Sequence, residues 1–326
     1  MFIKKNRKEI LSYVCIIVFL SAVFFLKLPF VIEIPGGLTD VSNRISIEDA
    51  YELEGSYNIT YVSQLNATPI LMLYSLFNDQ WDLISNEELT TIESLEDMNF
   101  RYSLNLIENT NNAIMYAYNL ANREVNISSS SFYITYVDEL ASTDLEVGDQ
   151  ILEINDTKIE DATILNSEVA NTNVGDVLYF KVINDNIEYT RFAYKTIIGE
   201  ESVIGIVLST QYELDLNPKL DTSFLSSESG GSGGLMTTLY IYDSLIEEDL
   251  TSGLVIAGTG TIDSNGNVGA IAGVNYKIIG ACNEGADVFF VPTDNYTEAK
   301  NTIEEYDLDI QLVVVNHIAD ALVFLK

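Results

Sequence analysis

A chain of 326 residues with 47% hydrophobic content is long enough for two or three domains with real cores. Its 49 acidic residues against 16 basic ones leave a formal net charge of −33, which repels nucleic-acid phosphates and anionic headgroups. No nucleic-acid partner is expected, and a cationic peptide is the partner this charge favours. Two cysteines, Cys15 and Cys282, make no disulfide framework; metal-ligand spacings are absent, and one histidine, His317, restricts the acid–base chemistry. No metal or cofactor is expected.

Lys4, Lys5, Arg7 and Lys8 precede the almost uninterrupted apolar run "ILSYVCIIVFLSAVFFL" at residues 10–26. With Lys27 snorkelling and "LPF" behind it, residues 10–30 match the roughly 20 residues a membrane span needs. A cleaved signal peptide is the competing reading, but "LKLPFVIEIP" offers no small-residue cleavage site. The expectation is a cytoplasmic basic tail (1–9), a single-span anchor in the cell membrane (10–30), and the rest of the chain outside the cytoplasm. ATP is scarce there, and no phosphate-binding G-x-x-x-x-G-K-[ST] loop occurs.

Residues 31–122 form an extracytoplasmic α/β segment. "IPGG" (34–37) punctuates the exit from the membrane. "GSYNITYVSQ" (55–64) reads as a strand. "TPILMLYSLFNDQW" opens as a helix with a Thr cap and Pro in the first turn, and "NNAIMYAYNLANREV" (111–125) reads as another. The 55–64 strand is also a candidate to join the sheet of the C-terminal domain, which would make the intervening domain an insertion.

Residues 123–200 change to short strands and turns, including "SSFYITYV", "DVLYFKVI" and "EYTRFAYKTI". The stretch "LEVGDQILEINDTKIED" (145–161) resembles the signature of bacterial PDZ domains, with "TILNSEVANT" (163–172) as the helix bordering the groove. Its second turn reads "NDT" where Asn-Gly is usual. PDZ domains bind extended peptides by adding them to a sheet edge. On this resemblance Phe132, Tyr133 and Ile134 are assigned to peptide binding.

From residue 201 to 326, strand and helix patterns alternate as in an α/β domain. "SVIGIVLS" is a strand, and "LMTTLYIYDSLIEEDL" (235–250) puts Leu235, Leu239, Tyr242 and Ile246 on one helical face. "GLVIAGTGTIDSNGNVGAI" reads as two strands joined at Asn265-Gly266. "VNYKIIGACNEGA" is helical, "DVFFVP" a buried strand, "TDNYTEAKNTIEEY" a helix, and "IQLVVVN" and "IADALVFLK" the closing strand and helix. The fold class is α+β.

His317 lies between a strand and the last helix, where a cap is the ordinary role. Without histidine, a serine can be activated by a neutral lysine, provided the lysine is desolvated. On a helix, Lys277 has Gly273, Val274, Gly280 and Ala281 at i−4, i−3, i+3 and i+4, a small apolar face without carboxylates. A surface lysine snorkelling from a packed helix fits that pattern too. Ser232 sits in "SESGGSGG" with Gly230, Gly231, Gly233 and Gly234 around it. On its own this run reads as a flexible linker. With a helix starting at about Leu235, it becomes a loop whose free amides could hold an oxyanion.

Taken together, "GGSGGLMTTL" and "AGTGTID…GNVGAIAGVNYKIIGA…GADVFFVP" resemble the proteolytic domain of Lon-type proteases. With the anchor and the PDZ-like segment, the layout resembles the membrane-anchored, Lon-like PDZ proteases of Gram-positive bacteria, some of which process peptide pheromones. The resemblance implies Ser232 as nucleophile, Lys277 as general base and Thr259 as the group that orients the lysine. Gly230, Gly231, Gly233 and Gly234 would form the nucleophile and oxyanion loop. The chain departs from the usual Gly-Pro-Ser-Ala-Gly by having glycine in place of Pro and Ala. Ser229 stands where many relatives have an acidic residue, and the turn before the lysine helix reads Ile-Ala-Gly. The function implied is an ATP-independent, membrane-anchored serine endopeptidase acting on extracytoplasmic peptides or exposed protein tails. The alternative is a catalytically weak or inactive membrane-tethered PDZ scaffold. The ATPase module that assembles hexameric relatives is missing, so no particular oligomer is implied.

Overall fold

The computed structural model describes residues 6–89 and 93–326. The apolar run forms helix α1 (Arg7–Phe25), none of whose side chains is buried in the protein. By length and composition α1 can cross a membrane or serve as a signal sequence. Arg7 and Lys8 open it, whereas Lys4 and Lys5 lie outside the described residues.

The chain next forms strands β1 (Phe30–Asp40) and β2 (Ser56–Asn66), helix α2 (Pro69–Ser75), strand β3 (Asp82–Ser85) and helix α3 (Leu95–Leu120). Strands β4 (Glu124–Val137) and β5 (Gln150–Ile154), helix α4 (Ala162–Asn171), and strands β6 (Val177–Asn184), β7 (Ile187–Tyr194) and β8 (Ile206–Asn217) follow. Last come α5 (Gly234–Ser244), β9 (Val255–Gly258), β10 (Thr261–Ile262), β11 (Val268–Gly269), α6 (Val274–Asn283), β12 (Val288–Pro292), α7 (Thr293–Tyr306), β13 (Gln311–Val315) and α8 (Ile318–Leu325). Very short elements lie between them.

Two sheets organise these elements. The first is six-stranded, in the order β13–β12–β9–β2–β1–β3. Its strands β13, β12, β9 and β2 run parallel, and β1 and β3 are added antiparallel. The parallel strands are covered on both faces, which is why "DVFFVP" is a continuous apolar run. Helices α3, α5 and α8 pack on one face through Ile114, Tyr118, Met236, Leu239 and Ile318, and α6 and α7 on the other through Ile278 and Ala299. Helix α5 is therefore buried almost all round and ends at Ser244, so the single apolar face running to Ile246 does not describe it. "IPGG" is not a membrane-exit punctuation but part of β1, with a register shift between Pro35 and Leu38. A β-carbon at Gly280 of α6 would lie 2.7 Å from the Gly36 carbonyl oxygen, so glycine is what lets helix and strand touch here.

The second sheet runs β8–β4–β5–β6–β7, with Ser142–Thr143 beyond β7. The Gly-Asp turn before β5 is built around Asp149, fully buried, whose carboxylate accepts from Glu146 N–H and Asn184 Nδ2 and pairs with Arg191. In "NDT", Asn155 and Asp156 both take positive φ (47° and 63°), the two-residue turn that Asn-Gly usually supplies. Strand β8 belongs to this sheet, paired with β4 from Ile206 to Asn217, so residue 201 is not where the C-terminal sheet begins. The assignment of Phe132, Tyr133 and Ile134 to peptide binding needs correction for a related reason. Their strand is interior: Phe132 and Tyr133 pair with β8 on one side and β5 on the other. Phe132 and Ile134 are core, and the Tyr133 ring meets Phe100 of α3. No edge is free there to accept another strand.

Helix α3 is longer than the 111–125 pattern predicts, because Ser94 caps a turn well upstream by accepting from Asp97 N–H, and it stops at Leu120, before β4 begins at Glu124. It lies between the sheets and bonds to β8 of the second and to the β10–β11 hairpin. Ser209 Oγ donates to Glu108 at 2.5 Å, and Asn111 Nδ2 donates to the Tyr212 carbonyl at 3.1 Å. On its other side Asn112 Nδ2 donates to the Ile262 carbonyl.

Under α5, the Tyr57 hydroxyl of β2 donates to buried Asp243 at 2.9 Å, and Leu250 N–H donates to the same carboxylate. Burial pushes the Asp243 carboxyl up to about 6 and the Tyr57 hydroxyl upward as well. A raised carboxyl contributes stability that is complete below its unfolded value and is lost as pH rises through about 6. Tyr57→Phe removes a donor to the charged form. It should cost about 1.5–3 kcal/mol at pH 8 and less at pH 5, read from urea-denaturation midpoints at the two pH values.

Candidate active site

Ser232 lies in the turn immediately before α5 and is partly accessible to solvent. Its carbonyl oxygen accepts from Gly260 N–H at 2.8 Å and from the Thr259 hydroxyl at 3.3 Å. Those residues directly follow β9, so the turn is stitched to the end of a parallel strand of the sheet. Among the described residues, the amides of Gly231, Ser232 and Gly233 donate to no protein acceptor, whereas Gly230 N–H goes to the Tyr102 carbonyl and Gly234 N–H to Gly231. The four loop glycines therefore divide. Gly230 and Gly234 hold the loop, and Gly231 and Gly233 join Ser232 in presenting free donors at a helix N-terminus.

Lys277 is in the first turn of α6, 5% exposed, and its Nζ donates to Thr259 Oγ1 at 3.2 Å. Gly273, at φ 71°, caps that helix in a conformation glycine adopts without strain. The i−3, i+3 and i+4 neighbours Val274, Gly280 and Ala281 are all buried, and no salt bridge reaches Lys277 among the described residues. Burial alone pulls the ammonium down to about 8. Fully buried Thr259 thus sits between the two: its hydroxyl accepts from Lys277 and donates to the Ser232 carbonyl. The lysine and serine are joined through threonine rather than by a direct hydrogen bond.

His317 is elsewhere. It caps α8, with Nδ1 accepting from Ala319 N–H, Asp320 closing the capping box and Nε2 facing the Asn265 carbonyl. With both ring nitrogens engaged in the fold, it is no base for Ser232.

The residues that sequence reasoning missed are on α3 and β2. A β-carbon at Gly231 would overlap the Asn109 carboxamide, and one at Gly233 would lie 2.9 Å from Ile59 Cδ1. Asn109 Oδ1 also accepts from Ile262 N–H at 2.9 Å, linking the loop to the β10–β11 hairpin. Upstream, Glu228 accepts from Arg44 and from Leu225 N–H at 2.8 Å, fixing the approach to the loop. Glycine thus occupies both positions flanking Ser232 because α3 and β2 take the space a side chain would need. No local pattern marks Asn109, which lies more than a hundred residues from the loop.

Residues 227–325 match the family model of the Lon protease (S16) C-terminal proteolytic domain. This stretch is a Lon-like proteolytic domain. The match supports a serine peptidase. It begins just before the Ser232 loop, so β1, β2, β3 and α3 complete the sheet and brace the Ser232 loop from outside the matched residues. No curated protein matches the chain.

Gly231→Ala should destabilise the protein by about 1–3 kcal/mol through overlap with Asn109, in line with overpacking costs. Asn109→Ala should absorb most of that loss. The double-mutant cycle, measured by denaturant unfolding, should return a coupling of at least about 0.5 kcal/mol.

Proposed function

We propose that the chain is a membrane-anchored, ATP-independent endopeptidase using a Ser232–Lys277 dyad on extracytoplasmic peptides or exposed tails. The observation that carries this reading is the carboxylate-free burial of Lys277 on the Thr259 hydroxyl, which itself holds the Ser232 carbonyl. An amine with a pKa of about 8 is substantially neutral at mildly alkaline pH and can accept a proton.

In the proposed reaction the Ser232 hydroxyl attacks the scissile carbonyl and its proton passes to Lys277 Nζ. The free amides around Ser232 receive the oxyanion of the tetrahedral adduct. Lys277 then gives the proton to the departing amine as the C–N bond breaks, leaving an acyl-enzyme. Water, deprotonated by the same amine, attacks the ester and returns Ser232 to its hydroxyl form. Thr259 orients Lys277 between these transfers.

The anchor reading of α1 rests on the uncleaved-looking flank and the basic residues before it. The PDZ-like reading of the second sheet rests on its Gly-Asp turn and the following helix α4, with the peptide edge moved from β4 to β8. Strand β8 is the edge of that sheet. Helix α3 bonds it from Ser209 onward, whereas Ile206–Leu208 have β4 as their strand neighbour, and Ile206 and Leu208 pack into the cluster that holds Ile164 and Val169 of α4. A peptide adding there would gain main-chain hydrogen bonds and apolar side-chain contacts.

Turnover of a secreted peptide should rise with pH and level off above about 8, because below that value Lys277 is protonated. Ser232→Ala and Lys277→Arg should each lower kcat by about a thousandfold or more, arginine remaining protonated throughout. The check is peptide profiling of culture medium with wild-type and Ser232→Ala protein, followed by kinetics on one cleaved peptide. Wild-type turnover in either variant would refute the dyad, and peptide capture without any labelling of Ser232 by a serine-directed probe would favour the scaffold.

A further inference from the structure

Helix α2 and the turn behind it expose apolar side chains that nothing among the described residues covers. Leu73 and Tyr74 are each 53% exposed, Leu76 73% and Phe77 83%. They fall in "LNATPILMLYSLFN", residues 65–78, a stretch without a single charge in a chain of net charge −33. An exposed cluster of this kind marks a contact surface. Its place in the fold identifies the contact. Leu28 N–H, three residues past the end of α1, donates to the Ala67 carbonyl at 2.8 Å, and Ala67 N–H donates to Phe30 at 3.0 Å. These bonds pin the start of α2 to the point where the apolar helix α1 ends. Tyr74 and Trp81 stack edge to face beside the patch, 4.7 Å between ring centres, and such rings favour the headgroup level of a bilayer.

We propose that α2 and residues 76–77 are a second, interfacial membrane contact, lying flat at the outer bilayer surface next to the anchor and seating the proteolytic domain on it. The proposal rests on the reading of α1 as a membrane anchor. The contact is with the apolar part of the lipid, because an acidic protein gains nothing from anionic headgroups. A cationic peptide would find no charge on this face, and the hydrogen bonds to the end of α1 place it against lipid rather than against a second copy.

The seat is coupled to the candidate active site. Tyr276, beside Lys277 on α6, donates to the Asp82 carboxylate just beyond Trp81, and the Tyr306 hydroxyl of α7 donates to the Asp79 carbonyl at 3.2 Å. The segment that rests on the bilayer is therefore bonded to the lysine helix. It holds the cleft at a set height above the membrane, suited to peptides emerging from or lying on the bilayer surface.

Trp81 is the only tryptophan of the chain and reports directly on this contact. The full chain is reconstituted into phosphatidylcholine vesicles containing lipid brominated high in the acyl chain, and flotation is measured alongside fluorescence. Bromolipid should quench Trp81 by roughly half, at low and high salt alike, because the contact is apolar. The Leu76→Asp, Phe77→Asp double variant should still float, held by α1, but lose most of that quenching. If the wild-type chain floats while Trp81 is quenched by aqueous acrylamide and not by bromolipid, the interfacial contact is overturned and the anchor stands. Self-association abolished by the double variant, without bromolipid quenching, would assign the face to a second copy and also overturn it. A chain that fails to float would overturn the anchor and the interfacial contact together.

Discussion

Helix α6 can lie against β1 only because Gly280 meets Gly36, with no side chain between the two backbones. That approach sinks the first turn of α6 into the protein and takes Lys277 out of water. A buried ammonium without a counter-ion is costly, and the protein answers by lowering its proton affinity instead of supplying a carboxylate. In a chain with 49 acidic residues, the absence of one at this position matters as much as the lysine itself. The remaining features of the candidate site arrange partners around that amine. Thr259 accepts its hydrogen bond from the end of a parallel strand, and the same hydroxyl ties down the carbonyl of Ser232.

The glycine-rich loop raises the opposite problem, since four glycines make a loose chain. Its rigidity comes from outside. Gly230 is bonded to Tyr102, Gly231 lies against Asn109, Gly233 against Ile59, and Ser232 is held by Thr259 and Gly260. Proline and alanine in a loop stiffen it locally; here α3 and β2 fill the space those side chains would use and constrain the same atoms by contact. Because α3 also bonds the edge strand β8 through Ser209 and Tyr212, one helix touches both the second sheet and the Ser232 loop.

Much of the C-terminal part was legible in the sequence because its determinants are local. The ranges of β12 and α7 follow directly from "DVFFVP" and "TDNYTEAKNTIEEY", the Asn265-Gly266 turn joins β10 and β11, and His317 caps a helix as its position predicted. Where reading failed, the cause was distance along the chain. "IPGG" reads as punctuation unless Gly280 is known to press on it. The strand through Phe132 and Ile134 reads as a possible edge until β8, some seventy residues on, pairs with it. The length of α3 escaped notice because its first half buries only Leu104 and is held by contacts to β8, such as Gln211 Nε2 donating to the Leu104 carbonyl.

Composition and periodicity by themselves determined the apolar helix, the order of the C-terminal elements and the acid-free face of Lys277; the Lon-like character of that stretch and the roles proposed for Ser232 and Lys277 came from the resemblance its motifs carry. The sequence could do so because each of these depends on neighbours within a few turns or on chemistry carried by residue type. Tertiary structure alone decided that β1 and β2 complete the sheet of that stretch, that Asn109 braces the loop, that the open edge is β8, and that an uncharged helix stands bare beside the end of α1. Those facts arise from which distant backbones come close enough to exclude a side chain or share a hydrogen bond, and no local pattern records that.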